Sequence, residues 1–325
     1  MHPSLLCADC ALADPARRRW LQAAGLALGI AALPAQLGAT PAPARRSRLI
    51  LLGTAGGPTP KAERSAPANA IVIDGVIYVI DCGNGVARQM VKAGLDLGAI
   101  RNVFVTHQHS DHNADYGNLL WLAWAAKLHT RVDTWGPPPL IQMTRLFLQM
   151  NDVDIRTRMA DEGRPALAPL IVPHEITAAG VVMQDERVKV TAALVQHPPV
   201  VPALAYRFDC PDRSIVFSGD TRPSANLVAL AHGADVLVHE VMYLPALDRL
   251  IASEPDAKRL REHLLASHTT TAQVGRIASA AGVKTLVLSH FVPGGYPAIS
   301  DEVWRDAVAP DFKGRLIVGH DLLEL

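Results

Sequence analysis

The chain has 325 residues, a formal net charge of zero with histidine neutral, and 49% hydrophobic against 5% aromatic residues. That length holds one large domain or two ordinary ones with a substantial core. Balanced charge and few aromatics argue against a basic footprint or a stacking surface, so nucleic acid is not an expected partner.

The N-terminal stretch comes first. Arg17, Arg18 and Arg19 precede an apolar run over residues 21–33, and small residues with an Ala42-x-Ala44 pattern follow. Basic, apolar and small-residue regions in this order read as a cleavable export signal over residues 1–44. Arg17 and Arg18 ahead of Trp20 and Leu21 resemble the twin-arginine motif, an ordinary secretory signal being the alternative. The apolar run is shorter than the roughly 20 residues that span a bilayer, so no stable membrane anchor is expected. The expected location is periplasmic or otherwise exported, with the twin-arginine export machinery as partner. Cys7 and Cys10 fall in this leader; Cys82 and Cys210 are read as buried free thiols, although an oxidising compartment would let them pair.

Residues 46–325 read as one α/β domain without internal repeats. "RLILLGTAGG" is a strand running into a glycine turn, and "AIVIDGVIYVIDCGNG" is a hairpin around Asp74-Gly75. Helices are expected over residues 113–127, 138–149, 224–232 and 270–281, and residues 151–173 read as a connection or cap. Several apolar strands deliver a polar residue at their carboxyl ends: "NVFVTH" His107, "TAALVQH" His197, "IVFSGD" Asp220, "DVLVHE" His239 and Glu240, and "KTLVLSH" His290. In open α/β structures ligands bind outside those strand ends, so these side chains can converge on one crevice.

The densest cluster is His107-x-His109-x-Asp111-His112. The spacing is too tight for one face of a helix, whereas a loop at a strand end lets the side chains fan around a small volume. Imidazole nitrogen and carboxylate oxygen are ligands that zinc accepts.

HxHxDH is the signature of the metallo-β-lactamase superfamily, which the chain closely resembles over residues 46–325. The resemblance extends to "LLGTAGGP", "IDCGNG", His197, "FSGDT" with Asp220 and "LSHFVP" with His290. It implies an αβ/βα four-layer sandwich and two divalent metal ions, zinc being the expected element. His107, His109 and His197 would bind one metal, Asp111, His112 and His290 the second, and Asp220 would bridge them. Two such ions, typically about 3.5 to 4 Å apart, acidify a shared water and stabilise a leaving oxygen. By the same resemblance metal-bound hydroxide is the nucleophile, and Asp111 is both ligand and catalytic.

"VHEVMY" and "SHTTTAQVGRIA" resemble the HEAT and HST motifs of the tRNase Z-like branch, which includes tRNA 3′-processing endonucleases, phosphodiesterases and some arylsulfatases. On that likeness His268 is the general acid and Glu240 orients it, a role that matters most for poor leaving groups. Those endonucleases carry a long basic arm between the positions of His197 and Asp220, and here the interval is a short hairpin. The resulting expectation is an exported dinuclear metal-dependent hydrolase acting on a small phosphodiester or aryl sulfate ester, with nucleic acid an unexpected substrate. Opening of a lactone or β-lactam at the same metal site is the alternative, and an inactive metal-binding module fits poorly because every ligand position is filled. Dimerisation is common among such relatives. Trp121, Trp124, Trp135, Tyr243 and Tyr296 are candidates for an aromatic lip, although Trp121 and Trp124 at helical spacing more often belong to a core face, and Asp81 is a candidate for support of the ligands from behind.

Overall fold

β-branched runs separated by glycine turns become strands in the computed structural model, which describes residues 46–295 and 298–325. The export signal expected over residues 1–44, and Tyr296, lie outside the described residues. In chain order the strands are β1 (Ser47–Gly53), β2 (Ala68–Ile73), β3 (Val76–Ile80), β4 (Ile100–Phe104), β5 (Val132–Gly136), β6 (Ile171–Glu175) and β7 (Gly180–Gln184). There follow β8 (Lys189–His197), β9 (Val200–Asp209), β10 (Ser214–Phe217), β11 (Val236–Met242), β12 (Thr285–Val292), β13 (Arg315–Val318) and β14 (Leu323–Glu324). The helices are α1 (Val86–Lys92), α2 (Ser110–Asn113), α3 (Tyr116–Ala125), α4 (Leu140–Met150), α5 (Asp152–Asp161), α6 (Ala225–Leu230), α7 (Leu247–Ala252), α8 (Leu260–Ser267), α9 (Thr271–Ala281) and α10 (Asp301–Val308).

Two seven-stranded sheets result, ordered β14-β1-β2-β3-β4-β5-β6 and β13-β12-β11-β10-β9-β8-β7. Each is mixed: β3 to β6 run parallel in the first, β10 to β13 in the second, and the remaining pairs are antiparallel. Their inner faces share one apolar core, in which Phe104 of the first sheet meets Tyr206 and Phe208 of the second at ring-centroid distances of 5.4 and 5.1 Å. Outside the first sheet, Met90 of α1, Trp124 of α3 and Leu140 of α4 close a second core. Outside the other sheet Leu227 of α6, Ile277 of α9 and Trp304 of α10 close a third. This is the expected αβ/βα four-layer sandwich. Trp124, whose helical spacing favoured a core face over a lip, is a core residue, and Trp121 packs against the same core.

Local chemistry explains most boundaries. Asp74 and Gly75 both take positive φ, 49° and 81°, as a tight hairpin turn requires. Thr270 caps α9, its backbone N–H donating to the Gln273 side chain at 2.9 Å, and Gly282 ends the helix at φ 65°. Residues 151–173, read as a connection, contain α5. Only Ile155 of that helix is buried, so it carries no apolar periodicity; ion pairs one turn apart, Asp152 with Arg156 at 2.7 Å and Asp154 with Arg158 at 2.8 Å, favour it instead. The short helices α7 and α8 also lacked a sequence signal.

The C-terminal residues close the first sheet. β14 pairs with β1, and Asp321 accepts hydrogen bonds from the Thr54 hydroxyl at 2.8 Å and the Ser65 backbone N–H at 2.6 Å. Arg64 joins the same clamp by donating to Thr54 Oγ1 and to the Gly319 carbonyl, both at 2.7 Å. Residues 54–65 are thereby held beside the carboxyl ends of the parallel strands. Among the described residues no helix is long and apolar enough to cross a membrane. Cys82 and Cys210 are both unpaired, the first buried and the second half-buried.

Candidate metal centre and active site

Strands β4, β8, β10, β11 and β12 have their carboxyl ends on one side of the sandwich, where the strand ends and the loops after them bring the metal-capable side chains together. Past β4, Thr106 spans the two sheets: its carbonyl accepts from Leu204 N at 2.9 Å, and its N–H and hydroxyl donate to Asp81. His107 and His109 follow, then Asp111 and His112 on α2. Asp220 follows Gly219, whose φ is 56° and where a Cβ would lie 2.5 Å from the Leu204 carbonyl oxygen. Only glycine suits that position.

The ligand-type atoms form two groups, each with all its members within 4.8 Å of one another: His107, His109 and His197, and Asp111, His112, Asp220 and His290. In the first, His109 Nδ1 lies 3.1 Å from His107 Nε2 and 3.0 Å from His197 Nε2. In the second, Asp220 is 3.3 Å from His112 Nε2 and 3.1 Å from His290 Nε2. One oxygen of Asp220 is also 3.9 Å from both His107 and His197, so this carboxylate stands between the groups. All seven predicted ligands are therefore brought together.

Their hydrogen bonding fits metal ions. His112 donates its Nδ1–H to Asp81 at 2.8 Å, and His197 donates its Nδ1–H to the Ser267 carbonyl at 2.9 Å. Each bond fixes the tautomer that turns an Nε2 lone pair inward, as metal-ligating histidines require. His112 Nε2 and Asp220 Oδ1 are buried and face each other at 3.3 Å with no other hydrogen-bond partner; in the tautomer set by Asp81 this opposes a lone pair to a carboxylate oxygen, which a cation between them would relieve. Burial, with the neighbouring imidazoles, lowers the pKa of His107, and burial lowers that of His197 to about 3, so both are neutral ligands. Burial opposes the charge on Asp220, yet His290 and His112 hold its pKa well below the usual carboxylate range.

Glu240 and His268 lie beside this cluster. Both carboxylate oxygens of Glu240 approach His268 Nδ1, at 3.1 and 3.0 Å, and one also accepts from Thr221 N at 2.8 Å. Thr269 donates to the Thr221 carbonyl and its own carbonyl accepts from Met242 N, tying the HTT segment to the end of β11. Burial disfavours charge on His268, but the Glu240 carboxylate outweighs it and raises the pKa. Its ring stacks on His290 at 5.7 Å.

A cleft of about 620 Å³ opens over the site. Its floor includes Asp111, Asp220, His268 and His290; residues 56–61 form one wall, and α7 with α8 form the other, where Leu250, Leu260 and Leu264 face in. None of the candidate lip aromatics among the described residues lines it: Trp135 stacks on His174 and Tyr243 packs edge-on against Trp304. Sequence reasoning missed His263 on α8, a solitary histidine in an ordinary helical stretch with no spacing to mark it. Lys61, on the opposite wall, was missed for the same reason.

The fold, the two ligand groups and the Glu240–His268 pair define a superfamily. The chain belongs to the metallo-β-lactamase superfamily, the Beta-lactamase superfamily domain matching residues 77–291. Among proteins it is similar to Ribonuclease Z of Mycobacterium bovis (strain BCG / Pasteur 1173P2), 32% identical over 277 residues, 84% of this chain and 96% of the relative. Ribonuclease Z of Mycobacterium sp. (strain KMS) is 34% identical over 276 residues, 84% of this chain and 94% of the relative. In fold it resembles the crystal structure of human tRNase Z, short form, with TM-score 0.62, 19% identity and coverage of 86% of this chain and 98% of that one.

These relatives overturn two expectations, the exported small-ester hydrolase and the exclusion of nucleic acid as substrate. Both leaned on net charge and on the short interval between His197 and Asp220. That interval is indeed a hairpin, β8 and β9 turning through Pro198-Pro199. A sum over the whole chain does not measure the field at one cleft, however, and the match to a named ribonuclease spans nearly all of its length.

Proposed function

We propose that the protein is a metal-dependent endoribonuclease of the tRNase Z type, hydrolysing a phosphodiester bond at the 3′ side of a tRNA precursor. The observation that carries this reading is the buried Glu240–His268 pair at 3.0 Å, set against the seven-ligand cluster on the floor of the cleft. A ribose oxygen is a poor leaving group and needs a proton as the ester bond breaks, whereas an activated aryl ester does not.

Two divalent ions, zinc by the nitrogen-rich donor set, would be held by His107, His109 and His197 and by Asp111, His112 and His290, with Asp220 between them, and would supply Lewis acidity and an acidified water. The chain's own groups do the rest. Asp111 is fixed by the Gly57 N–H at 3.0 Å and, beyond holding metal, orients the attacking water. His268 offers its Nε2 proton to the leaving oxygen, and Glu240 keeps Nδ1–H in place. Cleft walls exclude bulk water from the reacting bond.

The test is incubation of metal-replete protein with a precursor tRNA bearing a 3′ trailer, products being sized on a gel. Cleavage at one position that stops on chelation and returns with zinc is expected. An intact precursor under conditions where the protein opens a lactone would sink the reading.

A further inference from the structure

His263 has no part in the chemistry above, yet it stands in the same cleft. It is carried by the segment between β11 and α9, whose helices α7 and α8 pack on their own small apolar cluster of Met242, Leu247, Leu264 and Val292. Asp248 and Arg261 form an ion pair between the two helices. The His263 ring is half-buried, 5.9 Å from the rings of His109 and His197 and 6.0 Å from that of His268. A ring nitrogen of His263 lies within 4.8 Å of one on His268 and one on His197.

Its proton can be placed. Ser267 donates its hydroxyl hydrogen to the Pro198 carbonyl at 2.5 Å, so towards His263 Nδ1, 3.4 Å away, the Ser267 oxygen can only accept. Nδ1 therefore carries the ring hydrogen, and Nε2 keeps a lone pair with no hydrogen-bond partner among the described residues. A bare imidazole nitrogen accepts from O–H and is repelled by a phosphate oxygen, which has no hydrogen to give.

We propose that His263 accepts a hydrogen bond from the ribose 2′-hydroxyl next to the scissile phosphate, and so makes the site select RNA over DNA. This rests on the RNA-cleaving function proposed above. In that reaction the water oxygen bonds to phosphorus and the P–O3′ bond breaks. Its electron pair stays on O3′, which takes the proton of His268, leaving a 3′-hydroxyl and a 5′-phosphate. O2′ sits on the adjacent ribose carbon. With ring centroids 6.0 Å apart, His263 and His268 are close enough to serve the two vicinal oxygens of one ribose, each through a bond of about 2.9 Å. The 2′-hydroxyl is the group that distinguishes RNA from DNA at a given position.

The experiment uses metal-replete full-length protein and two precursor RNAs that differ only in a 2′-hydroxyl or 2′-hydrogen on the nucleotide 5′ to the cleavage site. Single-turnover rates of the wild type should favour the hydroxyl form by about ten-fold, one hydrogen bond's worth. His263→Ala should collapse that preference to about two-fold, and His263→Asn, which keeps an acceptor, should restore part of it. His263 is half-exposed, so neither substitution leaves a buried void. A wild type that cuts both RNAs equally, or a His263→Ala variant that keeps the full preference, overturns the inference while the nuclease stands. A wild type that cuts neither overturns the proposed function and this inference together.

Discussion

Adjacent imidazoles in this cleft have opposite duties because their partners differ. His268 faces the buried Glu240 carboxylate and keeps a proton to give, whereas His263 faces a serine oxygen and keeps a lone pair. His268→Ala is expected to slow cleavage of an RNA diester by about 10² to 10⁴, but to slow bis-p-nitrophenyl phosphate far less, since that leaving group departs without a proton. Equal losses on both substrates would show that His268 only shapes the site. Asp81→Asn removes the charged acceptor that aims His112 Nε2 inward and is expected to weaken metal binding by about 10- to 100-fold, read by competition with a chromogenic chelator. The His107–His112 cluster was legible from donor type and spacing, whereas the seven-ligand set came from the resemblance to the superfamily, since strand-end position alone pointed equally at His239. His263 was not legible, because its role comes from where α8 lies in space.

Elements were legible to the extent that their own residues dictated them. The strands that deliver His107, Asp220 and His290 announce themselves as apolar runs, and α9 by a cap and an αL glycine. Helices α7 and α8 are short, partly exposed and stabilised by contact with Val292 and Met242, far away or on another element, so periodicity could not reveal them. Gly219 marks where an element's geometry becomes the site's. Gly219→Ala forces a side chain to a positive φ against the Leu204 carbonyl and is expected to destabilise by about 1 to 3 kcal/mol, measured as a fall in denaturation midpoint. Because Asp220 follows directly, metal content should fall as well. A variant with wild-type stability and full metal occupancy would contradict this account.

Across the whole molecule the metal centre is also a structural joint, since its ligands come from loops of both sheets. Stripping the metals should abolish RNA cleavage and lower the melting temperature, and zinc at 100 times its Kd should restore about 2.7 kcal/mol. Scanning calorimetry with and without chelator checks this; an unchanged melting temperature would mean that the site is held without metal. The four-layer plan followed from motif resemblance, whereas the proposed substrate did not, because composition averages over the whole surface and a cleft is a small part of it. Asp321 pins residues 54 and 65, and the loop between them presents the Gly57 N–H to Asp111. Asp321→Ala would therefore loosen a segment that lies 256 to 267 residues away in sequence. The Gly57 N–H that fixes Asp111 would loosen with it, so the far end of the first sheet sets the aim of a side chain on the cleft floor.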